Sequence, residues 1–83
     1  MSEALRIRDD KLRWHCRRAL LELDIVFQRF WAAQGDAPLG DDEARSLERL
    51  LELEDHPLWK LVSDDTVSVQ TDDMVMLERL RKL

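Results

Sequence analysis

At 83 residues the chain is long enough for one small domain, and such a domain buries only about 60–65% of the surface its unfolded form exposes. Its 45% hydrophobic and 37% charged residues exclude a disordered chain, and a core this thin hardly leaves room for a deep catalytic cleft. The net charge of -5 disfavours nucleic acid, whose binding needs phosphates to be neutralised.

Helical periodicity organises the sequence, with no repeat or low-complexity segment. Residues 1–8 are expected to be flexible. A short first helix is predicted from Asp9 to Arg18, with Asp9 and Asp10 at its positive end and Arg17 and Arg18 at its negative end. Leu12, Cys16 and Ala19 make its apolar stripe, while Trp14 points elsewhere. A second helix, Leu20 to Ala33, carries Leu20, Leu23, Phe27, Phe30 and Trp31 at three- and four-residue spacing. Ile25 and Val26 widen that stripe, which argues for a central position. Gln34 to Gly40 is a loop rich in helix breakers.

A third helix opens at Asp41-Asp42-Glu43 behind Gly40 as a weak N-cap, with Ala44, Leu47, Leu50 and Leu51 inward and Glu48, Arg49 and Glu52 in water. Asp55 is expected to cap a fourth helix, His56 to Val62, whose buried side is Leu58, Trp59, Leu61 and Val62; Pro57 is tolerated in a first turn. Ser63 to Gln70 is a linker. Within it Thr66-Val67-Ser68-Val69 alternates like a strand, but it lacks a partner strand and is read as extended loop. Thr71 caps a last helix with Met74, Leu77 and Leu80 inside. The predicted fold is all-α, a compact bundle of five short helices in a single domain.

Chemistry is sparse. The lone cysteine, Cys16, excludes an intramolecular disulfide and suits a reducing compartment. Beside Arg17 and Arg18 it is a conceivable nucleophile, but as a member of a helix stripe it reads as a small apolar residue. His15 and Cys16 are adjacent, so on a helix they diverge by about 100° and do not share a metal, and His56 has no His or Cys neighbour in sequence. No catalytic residue and no metal site is expected. No run approaches the roughly 18 apolar residues of a membrane span, and the N-terminus lacks an apolar leader, so the expected location is the bacterial cytoplasm.

The charge is unevenly spread. Residues 1–18 hold six basic and three acidic side chains, against seven and fifteen in the remainder. This small basic patch suits an acidic protein surface or a phosphate-bearing ligand. At its end Arg18 and Glu22 are placed to meet across the junction of the first two helices, a guanidinium beside a carboxylate. The competing reading is a solvated charge cluster that only complements the helix dipoles.

Trp14, followed by Cys16-Arg17-Arg18-Ala19-Leu20-Leu21-Glu22-Leu23-Asp24, resembles the hallmark of the SdhE (YgfY/CptB) family, the succinate dehydrogenase flavinylation factors, whose pattern is Arg-Gly-x-x-Glu followed by Leu-Asp. Leu39-Gly40-Asp41-Asp42-Glu43, Leu50-Leu51-Glu52, Glu54-Asp55 and Leu58-Trp59 extend the resemblance over residues 9–80. It implies a five-helix assembly factor or chaperone that binds the flavoprotein subunit of succinate dehydrogenase, and in bacteria that of fumarate reductase. Such a factor promotes covalent attachment of FAD to a client histidine. The FAD then belongs to the client, and no cofactor is held stably by the chain itself. The implied docking face comprises Trp14, Arg17, Arg18, Ala19 and Glu22, on a chain expected to be monomeric.

Ala19 departs from the family glycine. Alanine is strained at positive φ by about 1 kcal/mol or more, so Ala19 is expected at negative φ, in a tighter and more helical junction. Two other classes of function stand beside this one: an antitoxin-like or regulatory protein-binding module, and a small enzyme using Cys16. Trp14 is the expected exposed aromatic, with Trp31 and Trp59 in the core.

Overall fold

The computed structural model describes residues 3–64 and 71–83. Its elements are α1 Glu3–His15, α2 Leu21–Gln34, α3 Asp41–Leu51, α4 Asp55–Ser63 and α5 Thr71–Arg81. Among the described residues there is no strand, in line with the all-α bundle predicted. The expected extended loop Thr66-Val67-Ser68-Val69 lies outside the described residues.

Two ends of α1 differ from the prediction. The helix starts at Glu3 rather than Asp9, with Glu3 in the first turn where the dipole favours a carboxylate. That places Asp9 in mid-helix, where it is buried and accepts the Leu39 N–H at 3.1 Å and Arg8 Nε–H at 3.1 Å. Asp9 therefore serves a loop amide instead of the helix end. The helix stops at His15 rather than Arg18. The Cys16 N–H is shared between the carbonyls of Leu12 (3.0 Å) and Arg13 (3.1 Å), and the Arg17 N–H reaches Trp14 O at 3.2 Å, a tightening typical of a last turn.

Helix α2 buries Leu23, Phe27 and Phe30 almost completely, with Leu20, Val26 and Trp31 packed around them. Ile25 does not join this stripe and stays 37% exposed, because two residues before Phe27 it falls on the opposite side of the helix. Gly35 ends α2 at φ 63, its N–H bonded to Trp31 O at 3.0 Å. Gly40 is the N-cap of α3, and the Glu43 carboxylate reaches back to accept the Gly40 N–H at 3.1 Å, half of a capping box.

The core also takes in Leu12 from α1, Cys16 just beyond it, Leu39, then Ala44, Leu47 and Leu50 from α3, Leu58 and Val62 from α4, and Met76, Leu77 and Leu80 from α5. Each fully buried large side chain stabilises the fold by about 1.5–3 kcal/mol. Helix α5 packs against α2, α3 and α4; α2 packs against α4 and α5, and α1 lies on α3. The centre expected for α2 is thus shared with α5. Arginines close three helix ends by donating to carbonyls left without intrahelical partners. Arg13 reaches Gly35 O beyond α2 at 3.2 Å, Arg81 reaches Leu61 O of α4 at 2.7 Å, and Arg18 reaches Leu51 O of α3 at 2.5 Å.

Candidate docking face at the α1–α2 junction

Residues 16–20 connect α1 to α2 outside either helix. No non-glycine residue among those described has a positive φ, so Ala19 sits at negative φ as expected. The expected helical junction is not what forms. Ala19 lies in a bend, its side chain exposed instead of sharing the stripe of Leu12 and Cys16, and Leu20 is extended at φ -74, ψ 116.

The cause is Arg18. It does not meet Glu22. Its guanidinium turns inward, only 13% exposed, and donates to Leu51 O (2.5 Å), Leu53 O (3.0 Å) and Asp55 Oδ1 (3.4 Å) at the α3–α4 junction. Its Nε is buried with no acceptor among the described residues, so this placement leaves one donor unsatisfied, a real penalty that the other bonds offset. Asp55 completes the arrangement, for its Oδ2 accepts the Leu20 N–H at 3.0 Å. Expected as the cap of α4, Asp55 is instead the first residue of that helix, with Glu54 at the N-cap and no side-chain cap. Its carboxylate serves the N-terminal end of α2. Sequence reasoning assigned Asp55 to the nearest helix start, and no local signal links it to Leu20, which lies 35 positions away.

With Arg18 inside, the outer surface belongs to its neighbours. Trp14 is 68% exposed, and the Arg17 guanidinium lies over its ring at 5.5 Å from the centroid. Such a pair holds a cation and a flat apolar surface together at the end of α1. Both line a groove of about 520 Å³ with Glu48, Leu51 and Glu52. Arg17 also borders a smaller groove of about 270 Å³ on its other side, with Asp24 and Trp31. Glu22 stands exposed in the first turn of α2, with no ion pair or hydrogen bond among the described residues. The solvated, dipole-complementing reading therefore describes Glu22 as it stands in the free chain. Trp31 and Trp59 are partly buried against the core.

The arrangement is poorly suited to covalent chemistry. Cys16 is 3% exposed, and Trp31 Nε1 donates to its sulfur at 3.4 Å. Burial raises the thiol to about 11, against smaller lowering effects of the Trp31 hydrogen bond and the Arg18 charge. At neutral pH it is a thiol, not a nucleophilic thiolate. His15 is exposed where Cys16 is buried, so the two face apart. No group of three or more His, Cys, Asp or Glu stands together among the described residues, and no described helix is long and apolar enough to cross a membrane.

Comparison with known proteins bears on this junction. A family model described as flavinator of succinate dehydrogenase matches residues 10–83. The chain is 42% identical over 52 residues to the FAD assembly factor SdhE of Ralstonia nicotianae, covering 63% of this chain and 54% of that one. It is 33% identical over 70 residues to the SdhE of Vibrio parahaemolyticus, covering 84% and 80%. With the SdhE of Shewanella oneidensis it shares 43% identity over 49 residues, or 59% and 58% of the two chains. The match thus spans little more than half the length of the Ralstonia and Shewanella proteins. No solved structure matches.

Proposed function

The chain belongs to the family of succinate dehydrogenase flavinators, and on that premise we propose that it is an assembly factor for a flavoprotein. It binds the flavoprotein subunit of succinate dehydrogenase and promotes covalent attachment of FAD to that client. The observation that carries the reading is the pairing of family membership with an exposed junction. There the Trp14–Arg17 stack and the unpartnered Glu22 flank a segment held from beneath.

The docking face is Trp14, Arg17, Ala19 and Glu22, with Arg18 shaping it from below. Trp14 supplies apolar area, as interface anchors do, Arg17 a cation and Glu22 an anion with free acceptors. The Ala19 methyl lies on the exposed bend, where it adds bulk to the contact without straining the backbone.

No turnover is assigned to the chain itself. Its buried thiol is protonated, and the FAD belongs to the client. The factor acts by population shift: it binds the flavinylation-competent arrangement of the client better than the open one. A preference of about 100-fold raises a state populated at about 1% to about half. The flavoprotein of fumarate reductase, with similar chemistry, is a second client. The factor works as a monomer in the bacterial cytoplasm, where thiols stay reduced and the flavoprotein folds.

Co-expression with a succinate dehydrogenase flavoprotein subunit is expected to raise its covalent flavin fluorescence on a denaturing gel. Glu22→Ala and Trp14→Ala should each remove most of that gain while leaving the helical circular dichroism intact. Full gain in both variants would refute the docking face.

A further inference from the structure

We propose that Asp55, which lies outside the junction segment, is a positioning residue for the docking face. The inference rests on the functional reading above and goes beyond it, because Asp55 itself need not touch the client.

Residues 17–20 have no regular hydrogen-bond ladder, yet they must hold the end of α1 and the start of α2 in one relation. Trp14 and Arg17 lie before the bend and Glu22 lies after it, so any swing of the connector changes the distance between its cation and its anion. A client that meets both gains most when that spacing is set in advance, since ordering a loose segment on binding is unfavourable.

Asp55 is placed to set it. One carboxylate oxygen accepts the Leu20 N–H at 3.0 Å, tying down the residue that precedes α2. The other faces Arg18 at 3.4 Å. Arg18 in turn is bonded to the carbonyls of Leu51 and Leu53, which end α3 and lead into α4. Two connector residues on either side of Ala19, Arg18 through its side chain and Leu20 through its backbone, are thereby fixed to one rigid corner. Asp55 is the group common to both ties, and it is only 23% exposed, so water competes weakly. The same geometry makes Arg18 part of this latch.

The test is a double-mutant cycle for binding of the free chain to a succinate dehydrogenase flavoprotein subunit, with Asp55→Ala and Glu22→Ala as its arms. Asp55→Ala is expected to weaken binding at least about fivefold in the wild-type background and less than about twofold when Glu22 is already alanine, because a positioning residue acts through the group it places. Asp55→Asn keeps an acceptor for the Leu20 N–H and is expected to restore most of the affinity; it also serves if the alanine variant folds poorly. Independently of any client, amide hydrogen exchange should speed up at Leu20 in Asp55→Ala and remain slow in Asp55→Asn. Additive losses in the cycle, or unchanged exchange at Leu20, would overturn the positioning role. If the wild-type chain does not bind the subunit, the functional reading falls instead.

Discussion

Cys16 shows how burial decides what a side chain can do. In sequence it sits beside two arginines, a setting that lowers a thiol pKa. In the fold it belongs to the core, and loss of hydration outweighs the Arg18 charge, raising the thiol from 9.0 to about 11. The raised value has a consequence for stability. Between pH 9 and 11 the unfolded chain gives up this proton before the folded one does, so the unfolded state binds fewer protons and stability falls as pH rises. The slope from one such group is at most about 1.4 kcal/mol per pH unit. Urea midpoints measured from pH 8 to 11 should therefore drop more steeply for the wild type than for Cys16→Ala. At pH 8, alkylation of Cys16 should proceed only as fast as the chain opens. Parallel midpoint curves would show that burial does not raise the thiol above its value in the unfolded chain.

Helix ends carry the next level of organisation. Three arginines from elsewhere in the chain close the carboxyl ends of α2, α3 and α4, so short helices that are marginal alone are held by tertiary hydrogen bonds. At the end of α2 Gly35 adds a stop made by the backbone itself. At φ 63 an L side chain is strained, while an added Cβ would meet nothing within 4 Å. Any loss in Gly35→Ala is thus conformational and not steric. The expected cost is about 1–3 kcal/mol, and for a domain of this size each kcal/mol lowers Tm by about 4–8 °C. Calorimetry measures it, and Gly35→Asn should lose about as much, since φ 63, ψ -140 lies outside the left-handed helical region that asparagine tolerates. A Tm unchanged in Gly35→Ala would mean that the turn relaxes to negative φ.

For the whole molecule the limiting quantity is the thinness of the core. At roughly 0.05–0.15 kcal/mol per residue a chain of this length has about 4–12 kcal/mol of stability. Leu77, fully buried on α5 among three other helices, is a large share of that. Leu77→Ala is expected to cost about 2–5 kcal/mol. In cells the flavinylation gain should fall with the amount of factor present, whereas purified folded Leu77→Ala should bind the flavoprotein subunit with near wild-type affinity. Loss of affinity without loss of stability would place Leu77 in the docking route. Docking-face variants should show the reverse pattern, normal abundance with weak binding.

Local regularities carried most of the fold. Three- and four-residue apolar spacing, breakers at Gly35 and Gly40 and the carboxylates that open α3 marked the helices, because these are properties of neighbours along the chain, whereas Asp9 and Asp10 misplaced the start of α1. The segment from Trp14 to Glu22 likewise marked the proposed docking face, and the exposure of Trp14 follows from its place off the stripe of Leu12 and Cys16. What only the tertiary structure decided was the partner of each charge. Asp9 turned to the Leu39 amide, Arg18 to the end of α3, and Asp55 to the start of α2. A buried charge takes whichever unsatisfied backbone group the packing brings to it, and those groups lie 30 or more positions away. Glu22 was left facing solvent because its expected partner, Arg18, turned inward to the carbonyls and the carboxylate that the packing brings to it.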